Sequence, residues 1–365
     1  MTTVAAVCAD TVYITLMTVR SKHNILYLCP LGKQQRAWRQ AAAPDAYAVR
    51  MFRNTEVTRA DLLLAIADAD ALITERAGVI DRELIAAGKK LKIIQRVGSL
   101  VHDIDLLAAQ ERGIPVCAQP MVGVIAVAEQ VMLQILMLLR AGMPLQATVN
   151  QSPASFGVAS RRTTEDVFSF NWSGTQRVAH LRAKTVGILG FGEIAAELAR
   201  LLQPWRTRTL YSKRQRYPES VEQDLAIAYR SPEALIAESD IVVSLLPYSE
   251  EMDTWLNAER IATMKRGAYL CHAGSGSVID EAAVADAIRS GQLAGCAFDT
   301  YEWEPIPVDN ALLTLAREDS AANIFLTPHI GSCGDSTLSG YGQFYANTVN
   351  ALLGKPIEGV VAPPR

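Results

Sequence analysis

The stretch Thr185 to Gln203, TVGILGFGEIAAELARLLQ, constrains this chain more than any other. Val186 to Leu189 is a short apolar run of the kind that fills a buried parallel strand. Gly190 and Gly192 follow at once, Ala195 takes the third small position of a G-x-G-x-x-G/A turn, and Ile194, Leu198, Leu201 and Leu202 recur at helical spacing. That order makes a phosphate cradle. The first glycine turns tightly, the second lets a pyrophosphate reach bare backbone, and the third small residue packs helix on strand. The helix N-terminus adds unpaired N–H groups and partial positive charge. An ordinary tight βα turn is the plainer alternative, but the flanking strand and helix favour a dinucleotide.

A dinucleotide site of this kind normally shows an acidic residue about 20 positions on, gripping the adenosine 2′-hydroxyl. Here the next strand, Thr207 to Tyr211, runs into Ser212, Lys213, Arg214, Gln215 and Arg216, with no carboxylate. Arginine suits a 2′-phosphate, through charge-assisted and bidentate contacts. The turn therefore favours NADP(H) and leaves NAD(H) as the second choice; a solvated basic turn is the bland alternative.

A chain of 365 residues implies two domains, since single cores seldom grow past ~250–300 residues. Net charge is −3, with 35 basic and 38 acidic residues, which gives no support for nucleic acid or an anionic membrane as partner. The cysteines Cys8, Cys29, Cys117, Cys271, Cys296 and Cys333 form no C-x-x-C pair. They read as reduced core thiols of a cytoplasmic protein, with no metal site. The first twenty residues are apolar, but Asp10 interrupts them and no basic segment leads, so a signal peptide is not expected. An extra strand or a loose extension are both open there.

From Asn24 the pattern is regular: strands at Ile25–Cys29, Tyr47–Phe52, Ala71–Thr74, Lys92–Gln95 and Ile114–Cys117, with helices between, one of them opened by Thr58 as cap. This alternation predicts an open parallel sheet. Lacking a glycine fingerprint, it is the substrate-side half. Met121 to Arg140 is apolar on nearly every side, yet Glu129, Gln130 and Gln134 interrupt it. One carboxylate there opposes membrane insertion by ~2.5–3.5 kcal/mol, so a helix buried between domains or subunits is expected. Asn150 to His180 has no clear period and reads as an arm that grips a neighbour. From Leu181 come six strands: the two already named, then Ile241–Leu245, Ala268–Cys271, Gly295–Phe298 and Asn323–Leu326. A last helix over Ser336–Leu353 returns to the first half. The expected fold is α/β, two Rossmann-like doubly wound parallel-sheet domains with the active site in the cleft between them. Residues 1–130 plus 335–365 make a discontinuous, flavodoxin-like substrate domain, and residues 131–334 the NAD(P)-binding domain.

Ligands on such sheets sit beyond the carboxyl ends of the strands, which singles out Leu246 and Pro247, His272 to Ser277, Asp299 to Pro305 and Thr327 to Ser332. His329, in LTPHIGS, suits proton exchange with a carbonyl oxygen near neutral pH. Glu304, in DTYEWEP, is the best carboxylate to orient it, with Glu302 the competitor.

At this point the chain resembles the D-isomer-specific 2-hydroxyacid dehydrogenases over roughly Ile25 to Leu353. The resemblance rests on VAEQ at Val127–Gln130, KTVGILGFGEIA at Lys184–Ala195, SDIVVSLLP at Ser239–Pro247, VIDEAAVADAI at Val278–Ile288, AFDTYEWEP at Ala297–Pro305 and LTPHIGS at Leu326–Ser332. It implies two Rossmann-like domains, a homodimer, and hydride transfer between nicotinamide and C2 of a 2-keto or 2-hydroxy acid. It also implies His329 as general acid/base with Glu304 as partner, Asp299 toward the nicotinamide carboxamide, and backbone of Glu193 and Ile194 on the pyrophosphate. Leu246, Pro247, Ala273 and Gly331 fall at its other cofactor-facing positions.

The chain departs from the family at one decisive place. Members carry an arginine for the substrate carboxylate in an A-R-G-G-type turn; here the turn reads HAGSGSVIDE, and aligning on Asp280 puts Ser275 in its position. A serine cannot replace a bidentate charged fork, and losing one such donor costs ~2.7–4 kcal/mol of transition-state stabilisation. The G-x-G substrate loop becomes Gly98-Ser99-Leu100, followed by His102-Asp103, and Pro120–Gly123 lacks the family's asparagine. Three readings stand. The substrate acid is held otherwise, by Arg96, His102 or His272; the carbonyl substrate carries no 2-carboxylate; or the protein is a nucleotide-binding sensor without turnover. Keeping both His329 and Glu304 argues for catalysis.

Overall fold

The computed structural model describes residues 23–76, 78–334 and 340–362. Expectations for the first twenty residues, for Cys8 and for the start of the last helix at Ser336 lie outside them.

Short apolar runs alternate with amphipathic segments, and each run finds a partner strand. In chain order the first half contains β1 (Asn24–Cys29), α1 (Lys33–Ala41), β2 (Ala48–Arg53), α2 (Arg59–Ala67), β3 (Ala71–Thr74), α3 (Arg82–Ala87), β4 (Ile93–Val97), α4 (Leu106–Glu111) and β5 (Val116–Gln119). Thr58 caps α2 as the sequence predicts. Its hydroxyl accepts from the Asp61 amide, and the Asp61 carboxylate accepts from the Thr58 amide. Two helices follow, α5 (Val122–Leu139) and α6 (Gly142–Val149). The second half runs β6 (Thr185–Leu189), α7 (Glu193–Leu202), β7 (Arg208–Ser212), α8 (Glu219–Asp224), β8 (Ile227–Tyr229), α9 (Pro232–Glu238), β9 (Ile241–Ser244), α10 (Ala258–Ala262), β10 (Ala268–His272), α11 (Glu281–Arg289), β11 (Leu293–Phe298), α12 (Ala311–Glu318) and β12 (Ile324–Leu326). The chain then returns through α13 (Gly340–Leu352) to β13 (Val360–Ala362).

The first sheet has the order β13-β5-β4-β3-β1-β2 and the second β12-β11-β10-β9-β6-β7-β8. All pairs are parallel except β13 on β5. The second sheet holds seven strands, one more than the sequence predicts. The extra strand β8 and the edge strand β13 are three residues each, too short to carry a periodic signal. Within the first sheet the order β2-β1-β3-β4-β5 is that of flavodoxin, and in each sheet the order reverses once, marking where a ligand binds. In the second sheet that point lies between β6 and β9.

Helix α5 is long and apolar enough, by composition, to cross a membrane, but it packs on α7 and against β10, β11 and β12. Ala128, Val131, Ile135 and Leu138 join one buried cluster with Val186, Ile188, Ala195 and Leu198. Its polar residues also have work there. Gln130 Nε2 donates to Thr327 Oγ1 at 3.0 Å, and Gln134 Nε2 to the His272 carbonyl at 3.3 Å. Asn323 Nδ2 donates to the Leu138 carbonyl at 2.8 Å. The divide expected at residues 130 and 131 therefore falls inside a helix bound along its length to the second sheet. Of the cysteines, Cys29, Cys117, Cys271 and Cys296 are buried, whereas Cys333 is exposed, a correction to its reading as a core thiol.

Candidate active site

Because β11 and β12 are neighbours, the loops that follow them run side by side. His329 Nδ1 lies 2.7 Å from Glu304 Oε2. The Tyr301 amide donates to Glu304 Oε1 at 3.1 Å, which fixes the carboxylate's other oxygen. The buried Tyr301 hydroxyl donates to the Thr327 carbonyl at 2.8 Å and the Phe298 carbonyl at 3.2 Å, pinning both strand ends. Burial pushes its pKa up, so it stays a donor. With Nδ1 committed to a carboxylate, Nε2 is the nitrogen that can exchange a proton with a substrate oxygen. The pair faces solvent, with the His329 side chain 56 % exposed. Glu302 instead gives its amide to the buried Glu281 carboxylate at 2.9 Å, so the orienting acid is Glu304.

Asp299, expected to face the nicotinamide carboxamide, holds the acid–base loop in place. It is buried, and its Oδ1 accepts from Thr327 Oγ1 at 2.6 Å and from the Ile330 amide at 3.0 Å. Its Oδ2 accepts from the Gly331 amide at 2.8 Å. The carboxylate thus grips the loop on both sides of His329, which is held at the left-handed φ of 51°. A Cβ on Gly331 would come 2.7 Å from Asp299 Oδ2, so this contact also needs glycine.

The glycine turn fits a dinucleotide. Gly190 has φ +82°, and a Cβ there would lie 2.7 Å from the Leu245 carbonyl oxygen, at the reversal between β6 and β9. A Cβ on Gly192 would meet nothing within 4 Å, so open space lies in front of the α7 N-terminus. Gly192 offers that terminus no side-chain cap, which leaves its N–H groups for an anion. The Leu246–Pro247 and Ala273 segments complete the rim. Ala273 N donates to the Ser244 carbonyl at 3.2 Å and Ser275 N to the Leu246 carbonyl at 2.9 Å, tying the ends of β9 and β10 together. Ser275 Oγ accepts from the Tyr248 amide at 3.0 Å, a local turn contact.

The loop after β4 meets the second half through Glu193. Ser99 donates its amide to Glu193 Oε2 at 2.8 Å and its hydroxyl to the same oxygen at 3.1 Å. Arg200 Nη1 donates to Ser99 Oγ at 2.8 Å. Gly98, at φ +122°, leaves room for this carboxylate, whose Cδ would lie 2.6 Å from any Cβ added there. Leu100 does not crowd the cleft: its side chain is buried in the cluster that contains Ala128 and Ala195.

At the basic turn, Lys213 Nζ stands 3.9 Å from the centroid of the Tyr217 ring. Burial, with Arg76 and Arg214 nearby, pushes the Lys213 pKa down to about 8. Arg214 is exposed and Ser212 is buried at the strand end. Arg216 departs from expectation. Its Nε and Nη2 make a fork onto Glu222 at 2.8 and 2.7 Å, and Glu222 also accepts from the Tyr211 hydroxyl at 2.7 Å. The third cation of the turn is engaged by a carboxylate six residues on.

Two residues considered for a substrate carboxylate are corrected by burial. His272 is fully buried on β10 against the Phe298 ring, and its pKa is pushed down to about 4 by that burial. Arg96 is fully buried on β4 and bonds Asp103. His102 alone of the three is exposed, with its ring edge-on to Tyr217 at 4.8 Å.

Residues 158–331 match the NAD binding domain of D-isomer specific 2-hydroxyacid dehydrogenases. A glyoxylate reductase of Thermococcus kodakarensis is 32 % identical over 307 residues, covering 81 % of this chain and 84 % of the relative. The chain belongs to the D-isomer specific 2-hydroxyacid dehydrogenase family. As a member of that family it is a nicotinamide-dependent oxidoreductase acting on CH–OH groups. Glyoxylate/hydroxypyruvate reductase B of Yersinia pestis is 30 % identical, over 83 % of this chain and 87 % of the relative. Among solved structures, apo D-mandelate dehydrogenase of Rhodotorula graminis shares the fold, with a TM-score of 0.54 and 22 % identity over 94 % of this chain and 100 % of the other.

Sequence reasoning missed Arg76, Tyr217 and Glu222. Arg76 was within reach, because it lies two residues past the carboxyl end of β3, where the strand-end rule applies.

Proposed function

We propose that this protein exchanges hydride between NADP(H) and C2 of a small 2-keto or 2-hydroxy acid. The carrying observation is the 2.7 Å contact between His329 and Glu304 on the carboxyl rim of the sheet whose glycine turn opens α7. A bound nicotinamide supplies or accepts the hydride. The protein's part is to deliver a proton from His329 Nε2 to the carbonyl oxygen during reduction and to take it back during oxidation, while Glu304 holds the ring's orientation. Asp299 keeps the loop in register. The names of the relatives, glyoxylate reductase and glyoxylate/hydroxypyruvate reductase B, support small 2-keto acids as substrates. Lys213 and Arg214 beyond β7, in a turn whose own sequence (Ser212–Arg216) carries no carboxylate, support NADPH over NADH. Exposed Leu133, Met143 and Val149 on α5 and α6, with Phe168 and Phe170, support a homodimer, which light scattering tests.

A second reading has its own observation. The Ser99 amide is occupied by the Glu193 carboxylate, and Arg96 and His272 are buried, which favours a carbonyl substrate without a carboxylate. The deciding assay follows NADPH and NADH absorbance with glyoxylate, hydroxypyruvate, phenylpyruvate and uncharged α-dicarbonyls. Reduction of the keto acids with NADPH supports the first reading, and reduction of the dicarbonyls alone supports the second. Tight coenzyme binding with no turnover on any of them would make the protein a sensor.

A further inference from the structure

A buried aromatic ring gathers cations from both halves of the molecule. Tyr217, beyond β7, carries Lys213 over its face and His102 against its edge. Arg76, beyond β3 in the other half, donates from Nη2 to the Tyr217 hydroxyl at 3.2 Å, and that hydroxyl donates to the Phe191 carbonyl of the glycine turn at 3.1 Å. Arg76 is itself at a left-handed φ of 56°, and its side chain is only 24 % exposed. Such a residue is costly to place, and here its guanidinium reaches the Tyr217 hydroxyl of the other half.

The charges around this ring do not balance. Arg76, Arg96, Lys213 and Arg214 stand against Glu193 and Asp103. Asp103 is bonded by Arg96, and Glu193 lies 3.6 Å from Arg76 Nη1 while also accepting from Ser99. Lys213 is also half-buried here, and burial first, then the charges of Arg76 and Arg214, lowers its pKa. An anion between these groups would relieve the imbalance.

The position decides which anion. β7 lies five strands from β12 across the second sheet, about 24 Å at ~4.8 Å per strand. A group bound here is therefore far from His329 and belongs to the adenosine end of a coenzyme. The pyrophosphate has its own place at the α7 N-terminus.

We infer that Arg76 is a binding residue for the 2′-phosphate of NADP(H), reaching it from the opposite half and closing with Lys213 and Arg214 a phosphate site that neither half forms alone. This rests on the NADPH reading above. It makes the coenzyme's phosphate a clasp between the two sheets, so that discrimination against NADH depends on how the halves meet as well as on the basic turn.

Calorimetric titration of the full chain with NADPH, NADH and adenosine 2′-monophosphate tests it, in wild type, Arg76→Gln and Arg214→Gln. The expected result is that Arg76→Gln weakens NADPH and adenosine 2′-monophosphate about tenfold, as for a lost charge-assisted bond, and leaves NADH within about twofold. Equal weakening of NADPH and NADH would place Arg76 at the pyrophosphate or in the scaffold and overturn the inference. If Arg76→Gln binds like wild type while Arg214→Gln loses the preference for NADPH, the inference fails and the coenzyme reading survives. A wild type that binds NADH as tightly as NADPH ends both. Should Arg76→Gln not fold, phenylglyoxal labelling of the wild type decides: adenosine 2′-monophosphate must protect Arg76 and adenosine 5′-monophosphate must not.

Discussion

Glu193, in the first turn of α7, places Oε2 2.8 Å from the amide nitrogen of Ser99 in the opposite half. The helix that opens the dinucleotide site thus clamps the loop of the other sheet with its own side chain. Replacing Glu193 by Ala leaves the Ser99 amide without this acceptor and Arg76 without its nearest carboxylate. We expect a loss of about 1–3 kcal/mol, measured as a lower urea midpoint with an unchanged slope.

Gly98→Ala attacks the same contact from the other side. Alanine is strained at φ +122°, and its methyl would press on the Glu193 carboxylate. The expected cost is about 1–3 kcal/mol from backbone strain, plus the clash. In a Glu193→Ala background the clash disappears, so the double mutant must lose less stability than the sum of the two single mutants; strict additivity would mean that the two residues do not meet.

His329→Gln removes the exchangeable proton and keeps a polar side chain at the rim. Turnover falls about 10²–10⁴-fold, with coenzyme affinity unchanged by fluorescence titration. Glu304→Gln preserves the shape but not the charge of the group that orients the ring, and its loss in kcat is expected to be smaller than that of His329→Gln.

Asp299→Ala tests positioning. Thr327, Ile330 and Gly331 each lose an acceptor, so melting temperature drops, and kcat falls with it as His329 loses its fixed place. Asp299→Asn keeps one acceptor oxygen and rescues part of both, which a residue acting only on the coenzyme would not do.

Most of the fold was legible in the sequence because its signals are local. The apolar runs Ile25–Cys29 and Ala71–Thr74, the Thr58 cap and the glycine turn each occupy a few adjacent residues. His329 and Glu304 follow adjacent strands, so the strand-end rule sufficed to pair them. The rest depends on distances across the chain. Nothing near Arg216 says that Glu222 will hold it through one helical turn, and nothing near His272 says that its strand end is roofed by α5. Arg76 and Tyr217 are 141 positions apart, and only the meeting of the two halves brings them together.

Acid lability follows from His272. Its pKa, ordinarily 6.5, is about 4 in the fold. Between those values the unfolded chain binds more protons than the folded one, so stability is lost as pH falls through that window, by about 3 kcal/mol in all. His272→Leu removes the titrating group, and its urea midpoint must change less than that of wild type between about pH 7 and pH 4.5.

Helix α5 leaves the first sheet at Gln119, yet Gln130, Gln134 and Leu138 bond it to the second. The flexing point on this crossing is thus confined to the few residues around Pro120 and Met121. If the cleft opens to admit a coenzyme, α5 must swing with the nucleotide side as one lever, carrying Gln130 and its grip on Thr327 with it, so the acid–base loop keeps its shape while the entrance changes width.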